Sequence, residues 1–343
     1  MSDTDSHGDV PPPARMIQMI TGHWVSQTVG TLARLSVADA VAAGAKTAAG
    51  VAKECGSNPD ATRRLLRTAA GLGLFVEEQP DTFRLSPLGE TLRSGAPGSL
   101  RDFAIAETDQ AHWLSWGRLA EAVTTGEPAA PKALGQELFQ WYESHPDDAA
   151  AFAGAMGNLS AMVAEEVAGS CDFSAAAKIV DIGGSNGLLL GAVLKKNPGP
   201  SGIVFDLPGV AERARPILER EGLAGRVEAR GGDFFTDVPA GDVYLLKHIL
   251  HDWNDDQCRT ILSTCANRLH ASGKVLVIEM IIPDDNSPSM AAMMDMNMLV
   301  MLPGRERSLM EYRALLNAAG LKLDRVIQTH SPFQVIEASK NDR

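Results

Sequence analysis

Residues 178–187 read Lys178-Ile179-Val180-Asp181-Ile182-Gly183-Gly184-Ser185-Asn186-Gly187, a short apolar run that ends in a glycine-rich turn. An apolar run of this length indicates a strand, and glycines after it allow positive φ angles and a close approach between ligand and backbone. Residues 188–194 are aliphatic apart from one glycine and indicate a helix. A strand, a glycine-rich turn and a helix in this order predict an α/β fold with a ligand at the turn.

Strands and helices alternate through the remainder of the chain. Strands are predicted at residues 178–182, 202–205, 227–229, 243–246, 274–278, 323–327 and 334–338, and helices from residue 210, over 255–269 and over 309–319. This alternation predicts a Rossmann-like, mainly parallel sheet with helices on both faces. Ligands of such sheets bind at the carboxyl ends of the strands, so the residues there are candidates for the functional site.

The spacing of the glycines bears on the kind of ligand. Dinucleotide-binding turns have the pattern Gly-x-Gly-x-x-Gly, in which the second glycine makes room for the pyrophosphate. Here Ser185 occupies that second position, and the third glycine is missing from its expected place. We therefore expect a nucleoside ligand without a pyrophosphate. The alternatives are a nicotinamide-dependent oxidoreductase, which the spacing disfavours, and a tight turn that serves packing alone.

Two further strand ends carry side chains suited to a nucleoside. Asp206 ends the second strand about 20 residues after the glycines, where a carboxylate accepts hydrogen bonds from both ribose hydroxyls. Asp233 and Phe234 follow the third strand, where they can bind the amino group and the face of an adenine. The simpler alternatives are a helix cap for Asp206 and a core aromatic for Phe234. Three sites at three strand ends favour the binding interpretation.

The fourth strand leads into Lys247-His248-Ile249-Leu250-His251-Asp252-Trp253. A histidine just beyond a strand end is well placed as a general base, because its ordinary pKa near 6.5 suits proton transfer at neutral pH. A carboxylate usually holds such a base in one tautomer, and Glu279 and Glu306 are the candidates. The alternative is that His251 is a buried structural residue.

His248, His251 and Asp252 also cluster in the sequence, which raises the question of a metal site. Ligands at positions i and i+3 need a helix that presents both side chains on one face, and no cysteine or third histidine lies nearby. We therefore predict no metal at this site.

The N-terminal part of the chain has a different pattern. Apolar residues at helical spacing run from residue 14 to about 42, short helices are predicted at 48–54 and 61–70, and strands at 74–76 and 82–85 flank a turn. Two helices and a hairpin predict a winged helix-turn-helix. Residues 46–95 hold 7 basic and 6 acidic side chains, which do not form the basic stripe of a DNA-binding surface. We favour a dimerisation and pocket-closing role over DNA binding.

Composition and charge are those of a folded globular protein. Apolar residues make up 45% and charged residues 22% of the 343 residues, and the net charge of −12 argues against a general nucleic-acid binder. Apolar runs stay far below the roughly 20 residues that span a bilayer, and the N-terminus has no signal-peptide pattern. The four cysteines form no Cys-x-x-Cys pair, so we expect free thiols and a cytoplasmic protein.

Together these stretches resemble the plant-type (COMT-like) family of small-molecule O-methyltransferases that use S-adenosylmethionine, in a bacterial natural-product form. The matching stretches are residues 181–187, 205–208, 232–235, 247–253 and 304–307, with Asp255, Asp256 and Glu279. The resemblance covers almost the whole chain. It implies a homodimer with a winged-helix-like dimerisation domain over residues 1–100, a helical linker and pocket cover over 101–170, and a Rossmann-like catalytic domain over 171–343.

The resemblance also implies roles for individual residues. The residues that contact S-adenosylmethionine would be Asp181, Gly183, Asp206, Asp233, Phe234 and Lys247. His251 would remove the proton of the acceptor hydroxyl, with Glu279 and Glu306 flanking it. The acceptor side would include Met294, Asn297, Met298 and Trp253. Residues 290–301 hold six methionines, which can adapt to a flat phenolic acceptor.

The chain departs from the family pattern at Ser185 and Pro303, where the family often has glycine. Neither change removes a catalytic side chain. The resemblance implies a small-molecule acceptor, and the charge and the short apolar runs predict neither a nucleic-acid nor a membrane partner. Two alternatives stay open. One is a ligand-sensing winged-helix transcriptional regulator, and the other is an enzyme of the methyltransferase fold with an altered activity.

Overall fold

The computed structural model describes residues 10–341 except residues 224 and 286. The chain divides into two compact units, of which the first ends at Asp109 and the second begins at Gln110. Residues 1–13 end in three prolines, a sequence that predicts a loose tail. Most of these residues lie outside the described part of the chain, and the first helix begins at Pro12. Within the described part of the chain, no helix combines the length and apolar character needed to cross a membrane.

The first unit is mainly helical. Its elements are α1 (Pro12–Ile20), α2 (Gly22–Arg34), α3 (Val37–Ala42), α4 (Ala48–Cys55), α5 (Pro59–Gly71), β1 (Phe75–Gln79), β2 (Thr82–Leu85), α6 (Pro87–Glu90) and α7 (Arg101–Ala106). The helical pattern over residues 14–42 resolves into three helices. Ser36 separates α2 from α3 because it adopts a left-handed conformation with φ of 53°.

Local capping explains why α4 and α5 lie where the sequence predicts them. Thr47 accepts a hydrogen bond from the Gly50 N–H at the start of α4, and Asn58 accepts one from the Ala61 N–H at the start of α5. Gly56 ends α4 with a left-handed φ of 63°. The strands β1 and β2 pair antiparallel directly after α5. The predicted winged-helix arrangement is therefore confirmed.

The first unit has a buried core and an exposed apolar surface. Leu66, Phe75 and Phe83 are at most 2% exposed. By contrast, none of the residues of α1 is buried. Five apolar side chains of α1 and of the start of α2 are between 54% and 69% exposed: Met16, Ile17, Met19, Ile20 and Trp24. A group of exposed apolar side chains of this kind marks an interaction surface.

The second unit begins with five helices: α8 (Gln110–Trp116), α9 (Leu119–Thr125), α10 (Ala130–Leu134), α11 (Leu138–Ser144) and α12 (Pro146–Ser170). The helical character predicted for residues 101–170 is confirmed, although α7 belongs to the first unit. Trp141 and Tyr142 lie within α11 and are buried, as expected of core residues. The helical pattern of this stretch also predicts that Trp113 and Phe139 belong to the core, but they are 43% and 49% exposed, so this prediction is wrong for these two.

The rest of the second unit is built on a large sheet. Its strands are β3 (Lys178–Ile182), β4 (Ser201–Asp206), β5 (Val227–Gly231), β6 (Gly241–Lys247), β7 (Leu269–Ile282), β8 (Arg307–Ser308), β9 (Leu321–Gln328) and β10 (Phe333–Lys340). The helices between them are α13 (Leu188–Lys196), α14 (Pro208–Arg220), α15 (Asp255–Arg268), α16 (Met290–Met301) and α17 (Leu309–Ala318). A short 3₁₀ helix (Leu250–Asp252) follows β6.

The strand order is β5-β4-β3-β6-β7-β10-β9, with β8 beside β7. The pairs from β5 to β7 are parallel, whereas β10 runs antiparallel to both of its neighbours. The predicted mainly parallel α/β fold is confirmed. In the register of the sheet, Ile182 pairs with Phe205 and Lys247 pairs with Ile278, so Asp206, Lys247 and Glu279 lie along one edge.

Candidate active site

The glycine-rich turn leads from the end of β3 into α13 and contacts the end of β4. Gly183 has a φ of 65°, a backbone conformation that strains any residue with a side chain, and a Cβ atom there would lie 2.3 Å from Cδ1 of Ile249 and displace it. Ser185 also has a left-handed φ, of 51°, although it is not glycine. Its backbone N–H donates a hydrogen bond of 2.9 Å to Oδ2 of Asp206. The departure at Ser185 therefore preserves the shape of the turn.

Asp206 is held firmly at the end of β4. Besides the Ser185 N–H, the Leu207 N–H donates to its Oδ1 at 2.7 Å. Burial raises the pKa of the carboxyl group, and these two backbone hydrogen bonds oppose the rise. Each carboxylate oxygen keeps a further lone pair. The side chain is thus a fixed double acceptor at the carboxyl edge of the sheet.

Aromatic side chains cluster beyond the ends of β5 and β6. Phe234 lies 4.9 Å from Phe235, and Trp253 meets Phe235 edge-on at 4.8 Å between ring centroids. Asp233 is exposed and forms a local turn by accepting from the Phe235 N–H at 2.9 Å. Trp253, predicted on the acceptor side, thus lies beside the predicted cofactor residues.

Asp181 and Lys247 are buried groups of opposite charge on the adjacent strands β3 and β6. Burial raises the pKa of Asp181 to about 7, and the charge of Lys247 opposes this rise. Burial lowers the pKa of Lys247 to about 8, although Glu279 and Asp181 favour its ammonium form. Oδ2 of Asp181 is buried without a hydrogen-bond partner among the described residues. An unsatisfied buried oxygen at this position suits contact with a polar ligand group.

His251 lies in the 3₁₀ turn after β6 and is 5% exposed. Its Nδ1 atom donates a hydrogen bond of 2.7 Å to Oε1 of Glu306, and its Nε2 atom lies 3.4 Å from Oδ1 of Asp252. Burial lowers the pKa of His251, but Asp252, Glu279 and Glu306 outweigh it and raise the pKa to about 9. The structure therefore brings together the histidine and both glutamates that the sequence singles out.

Glu279 is fully buried on β7 and supports the start of the same turn. Its Oε1 atom accepts hydrogen bonds of 3.0 Å from the backbone N–H groups of both Ile249 and Leu250. Burial raises the pKa of its carboxyl group, and the neighbouring His251 opposes the rise. Glu279 thus contacts the backbone of the turn, whereas Glu306 contacts the imidazole ring.

His248 is an unexpected member of this cluster. Its φ is 53°, an uncommon conformation for a residue with a side chain. Its ring lies 4.2 Å from the ring of His251 and 4.6 Å from that of Phe333. Because the backbone turns at His248, the two histidines face each other without the regular helix that the sequence argument required.

Arg307 is a second residue that sequence reasoning missed. It is fully buried, and its guanidinium donates to the carbonyl groups of Leu250 (2.9 Å) and Trp253 (2.8 Å), on either side of His251. It also donates to Oδ1 of Asp255 at 2.8 Å. The only signal in the sequence was its position beside Glu306. The guanidinium therefore ties the histidine turn to the loop that carries Glu306.

The predicted acceptor residues lie on α16. Asn297 accepts a hydrogen bond of 2.9 Å from the Trp116 indole N–H, and its amide lies 3.8 Å from the sulfur of Met294. Met298 is buried and Met294 is half-buried. The neighbouring Asp295 accepts from the backbone N–H of Glu306 at 3.0 Å. This contact connects α16 to the loop beside His251.

Comparisons with known proteins agree with this fold. The family profile of an O-methyltransferase domain matches residues 116–322, and that of an O-methyltransferase dimerisation domain matches residues 17–95. The chain is 38% identical over 339 residues to the phenazine O-methyltransferase PhzM of Lysobacter antibioticus, which covers 98% of this chain and 99% of that protein.

Two further comparisons extend the range of similar proteins. The chain is 32% identical over 311 residues to the 8-amino-8-demethylriboflavin N,N-dimethyltransferase of Streptomyces davaonensis, with 89% of each chain covered. A further similar structure is the crystal structure of CalO1, a methyltransferase in calicheamicin biosynthesis, with bound S-adenosyl-L-homocysteine (SAH). Its TM-score is 0.85 at 32% identity. It covers 97% of this chain and 100% of CalO1.

Proposed function

We propose that this chain, which belongs to the family of S-adenosylmethionine-dependent O-methyltransferases with an N-terminal dimerisation domain, methylates a phenolic hydroxyl group. The proposed acceptor is a small natural-product molecule. In this proposal His251 is the general base, and Glu279 and Glu306 position it. The observation that carries the proposal is the 2.7 Å hydrogen bond between the buried His251 and Glu306 at the carboxyl edge of the sheet.

The residues at this edge fit S-adenosylmethionine as the donor. Asp206 presents a fixed double acceptor suited to the two ribose hydroxyls, and Phe234 and Trp253 offer apolar surface for an adenine. Asp181 and Lys247 offer buried charged groups beside the glycine turn at Gly183. When bound, S-adenosylmethionine supplies a methyl carbon attached to a positively charged sulfur, which makes that carbon electrophilic.

His251 is arranged to accept a proton. Because Nδ1 donates to Glu306, the lone pair of the imidazole is on Nε2. A phenol has a pKa near 10, so its proton must leave as the oxygen reacts at neutral pH. A positioned base contributes typically 10²–10⁴-fold to the rate of such a step.

The carboxylates around His251 set a condition on this role. With a pKa of about 9, the imidazole of the free protein is mostly protonated at pH 7 and is not a base. A cation bound nearby offsets the charge of Asp252, Glu279 and Glu306 and therefore lowers this pKa. We infer that His251 becomes competent as a base only when the positive donor is in place.

We place the acceptor along α16. Met294 and Met298 provide adaptable apolar surface for a flat ring, and Asn297 acts through the Trp116 indole that it holds. Because Trp253 contacts Phe235, we assign it to the donor side rather than to the acceptor side.

We propose that the protein works as a homodimer in the cytoplasm. The dimerisation profile begins at residue 17, within the exposed apolar surface formed by Met16, Ile17, Met19, Ile20 and Trp24. All four cysteines are free thiols, which agrees with a reducing compartment. Sedimentation equilibrium tests the dimer, and Ile17→Ser with Ile20→Ser is expected to yield monomers.

A matched panel of acceptors tests the reaction. The protein is incubated with methyl-labelled S-adenosylmethionine and with pairs of aromatic compounds that differ only in a hydroxyl or an amino group. We expect label on the hydroxyl member of at least one pair, located by mass spectrometry. Transfer to none of the acceptors, although SAH binds in calorimetry, would contradict the proposal.

A second candidate is N-methylation, favoured by the 32% identity to an N,N-dimethyltransferase. A neutral amine attacks with its own lone pair and loses its proton afterwards, so it depends less on a base. Label on amino members alone, with a rate that survives His251→Ala, would support this candidate.

A further inference from the structure

Three buried side chains, one of which is the proposed base His251, converge on one point. A ring nitrogen of His248, a ring nitrogen of His251 and a carboxylate oxygen of Glu279 lie within 4.8 Å of one another. Metal–ligand bonds of about 2.0–2.2 Å span ligand atoms up to about 4.4 Å apart. Small rotations of these side chains would therefore bring all three atoms within bonding distance of one ion.

The atoms without a hydrogen-bond partner in this cluster belong to His248 and Glu279, whereas Nε2 of His251 lies 3.4 Å from Oδ1 of Asp252. Neither ring nitrogen of His248 has a hydrogen-bond partner among the described residues, and neither does Oε2 of Glu279. His248 is 6% exposed and Glu279 is 0% exposed. Buried polar atoms without a partner are rare in folded proteins, and a bound ion is one of the explanations for them.

The surroundings of His251 match those of metal-binding histidines. A ligating histidine usually donates its second ring N–H to a carboxylate, which orients the ring and raises its basicity. The Nδ1 atom of His251 donates to Glu306 in this way, so its Nε2 atom is the one that can bind an ion. The hydrogen bond to Glu306 leaves a lone pair on Nε2 of His251, and this lone pair can accept a proton or bind a metal ion.

Charge and ligand type select the kind of ion. Asp252, Glu279 and Glu306 place three carboxylates around His251, and the ammonium of Lys247 offsets one of them. Two imidazole nitrogens and one carboxylate oxygen suit Zn²⁺, Co²⁺, Ni²⁺ and Cu²⁺, whereas Mg²⁺ prefers oxygen ligands and several waters.

We propose that His248, His251 and Glu279 bind one transition-metal ion of the Zn²⁺ class, and that this ion inhibits methyl transfer. The inhibitory part rests on the proposed function, because the ion occupies the Nε2 lone pair that accepts the proton. In this proposal the site is a point at which a metal ion controls methyl transfer.

Cobalt tests the site without reference to activity. The full-length, tag-free protein is treated with EDTA, dialysed and titrated with Co²⁺, whose visible absorption reports a nitrogen and oxygen ligand set of low coordination number. We expect one Co²⁺ per chain, displaced by Zn²⁺ and not by Mg²⁺. The absence of such a spectrum overturns the proposal whatever the methyltransferase assay shows.

The decisive variant is His248→Asn, because asparagine tolerates the left-handed backbone at this position. We expect it to weaken Co²⁺ binding by more than about 100-fold. Loss of a residue that only supports a ligand typically weakens metal binding by about 10- to 100-fold, and loss of a ligand itself should cost more. Its methyl transfer is compared with and without Zn²⁺ against its own rate in EDTA, and Zn²⁺ should no longer lower that rate. If Zn²⁺ inhibits this variant as strongly as the wild type, the inhibitory role of the site is overturned. His248→Gly, which tolerates the same left-handed backbone, provides a second ligand-removing variant if His248→Asn fails to fold.

His270→Asn is the matched control, since His270 is an exposed histidine paired with Asp242. It should bind Co²⁺ as the wild type does. Unchanged Co²⁺ binding by a folded His248 variant would overturn the proposed ligand set. If the wild type binds one Co²⁺ but transfers no methyl group to any acceptor, the metal site stands and the proposed function fails.

Discussion

The imidazole of His251 and the carboxylate of Glu306, 55 residues apart in the chain, share a buried hydrogen bond of 2.7 Å. The next residue, Arg307, donates to backbone carbonyls on both sides of the same histidine. One short segment therefore orients the ring and the backbone of the proposed base. Five predictions follow from this arrangement and from the site around it.

Replacing His251 by alanine separates catalysis from binding. We expect kcat to fall by about 10²–10⁴-fold, because the proton acceptor is lost. The affinity for SAH, measured by calorimetry, should stay within a few-fold, since Asp206 and Phe234 are unchanged. His330→Ala removes a fully exposed histidine instead and should leave kcat unaltered. A near-normal kcat in His251→Ala would disprove the base assignment.

The pH dependence of kcat/KM reports the raised pKa of His251. Burial lowers this pKa, but the neighbouring carboxylates raise it to about 9, so the neutral and basic form grows as the pH rises. We expect kcat/KM for the donor, which reports the free protein, to increase with pH, to reach half of its plateau near pH 9 and to level off above that pH. In Glu306→Gln the rise should move to lower pH, because one negative neighbour of the imidazolium is gone. If the pH dependence of kcat/KM is the same in this variant as in the wild type, Glu306 does not raise the pKa of His251.

The carboxylate of Asp206 should govern donor affinity. In Asp206→Asn one of the two acceptor oxygens is replaced by a donor, while Ser185 and Leu207 still point their N–H groups at the side chain. Losing a hydrogen bond to a charged group costs about 1.5–3 kcal/mol, which corresponds to roughly 10- to 100-fold in SAH affinity. Asp237→Asn, which affects an exposed pair with Arg268, is the control and should bind SAH normally.

Arg307 should act through the position of His251. Arg307→Lys keeps the charge but cannot reach the Leu250 and Trp253 carbonyls together, so we expect kcat to fall on the order of 10²-fold with little change in donor KM. Arg305→Lys, which affects the exposed arginine two positions away, should change kcat by less than about twofold. Partial rescue of Arg307→Ala by guanidinium ions would support the positioning role. Equal kinetics in the two lysine variants would exclude it.

Gly304 should tolerate no side chain. A Cβ atom there would lie 1.8 Å from the carbonyl oxygen of His251, so the backbone of the loop or of the turn must move. We expect Gly304→Ala to lower the free energy of unfolding by about 1–3 kcal/mol and to reduce kcat as well. Gly199→Ala, with no atom within 4 Å of the added carbon, is the control in thermal unfolding. Equal melting temperatures would show that the loop adapts freely.

Much of the fold follows from local patterns in the sequence. The strand at residues 178–182 was predicted with its observed bounds, because an apolar run and the glycines after it are local features. Helix α4 was predicted to within one residue, since Thr47 and Gly56 mark its two ends. The left-handed Ser36, which separates α2 from α3, has no such signal, and this division was not predicted.

The placement of several candidate site residues at one edge of the sheet could also be predicted from the chain. Strand ends carry Asp206, Lys247 and Glu279, and parallel strands bring such ends to one edge of a sheet. The sequence therefore determined the fold class, the edge on which the site lies and most of its polar groups.

The contacts among these groups were decided by the tertiary structure alone. Glu279 contacts the backbone rather than the ring of His251, Trp253 joins the aromatic residues after β5, and the rings of His248 and His251 face each other. Each contact joins segments whose spacing depends on strand register and on loop packing. Local patterns encode the conformation of a segment, whereas the distance between two distant side chains depends on every element packed between them.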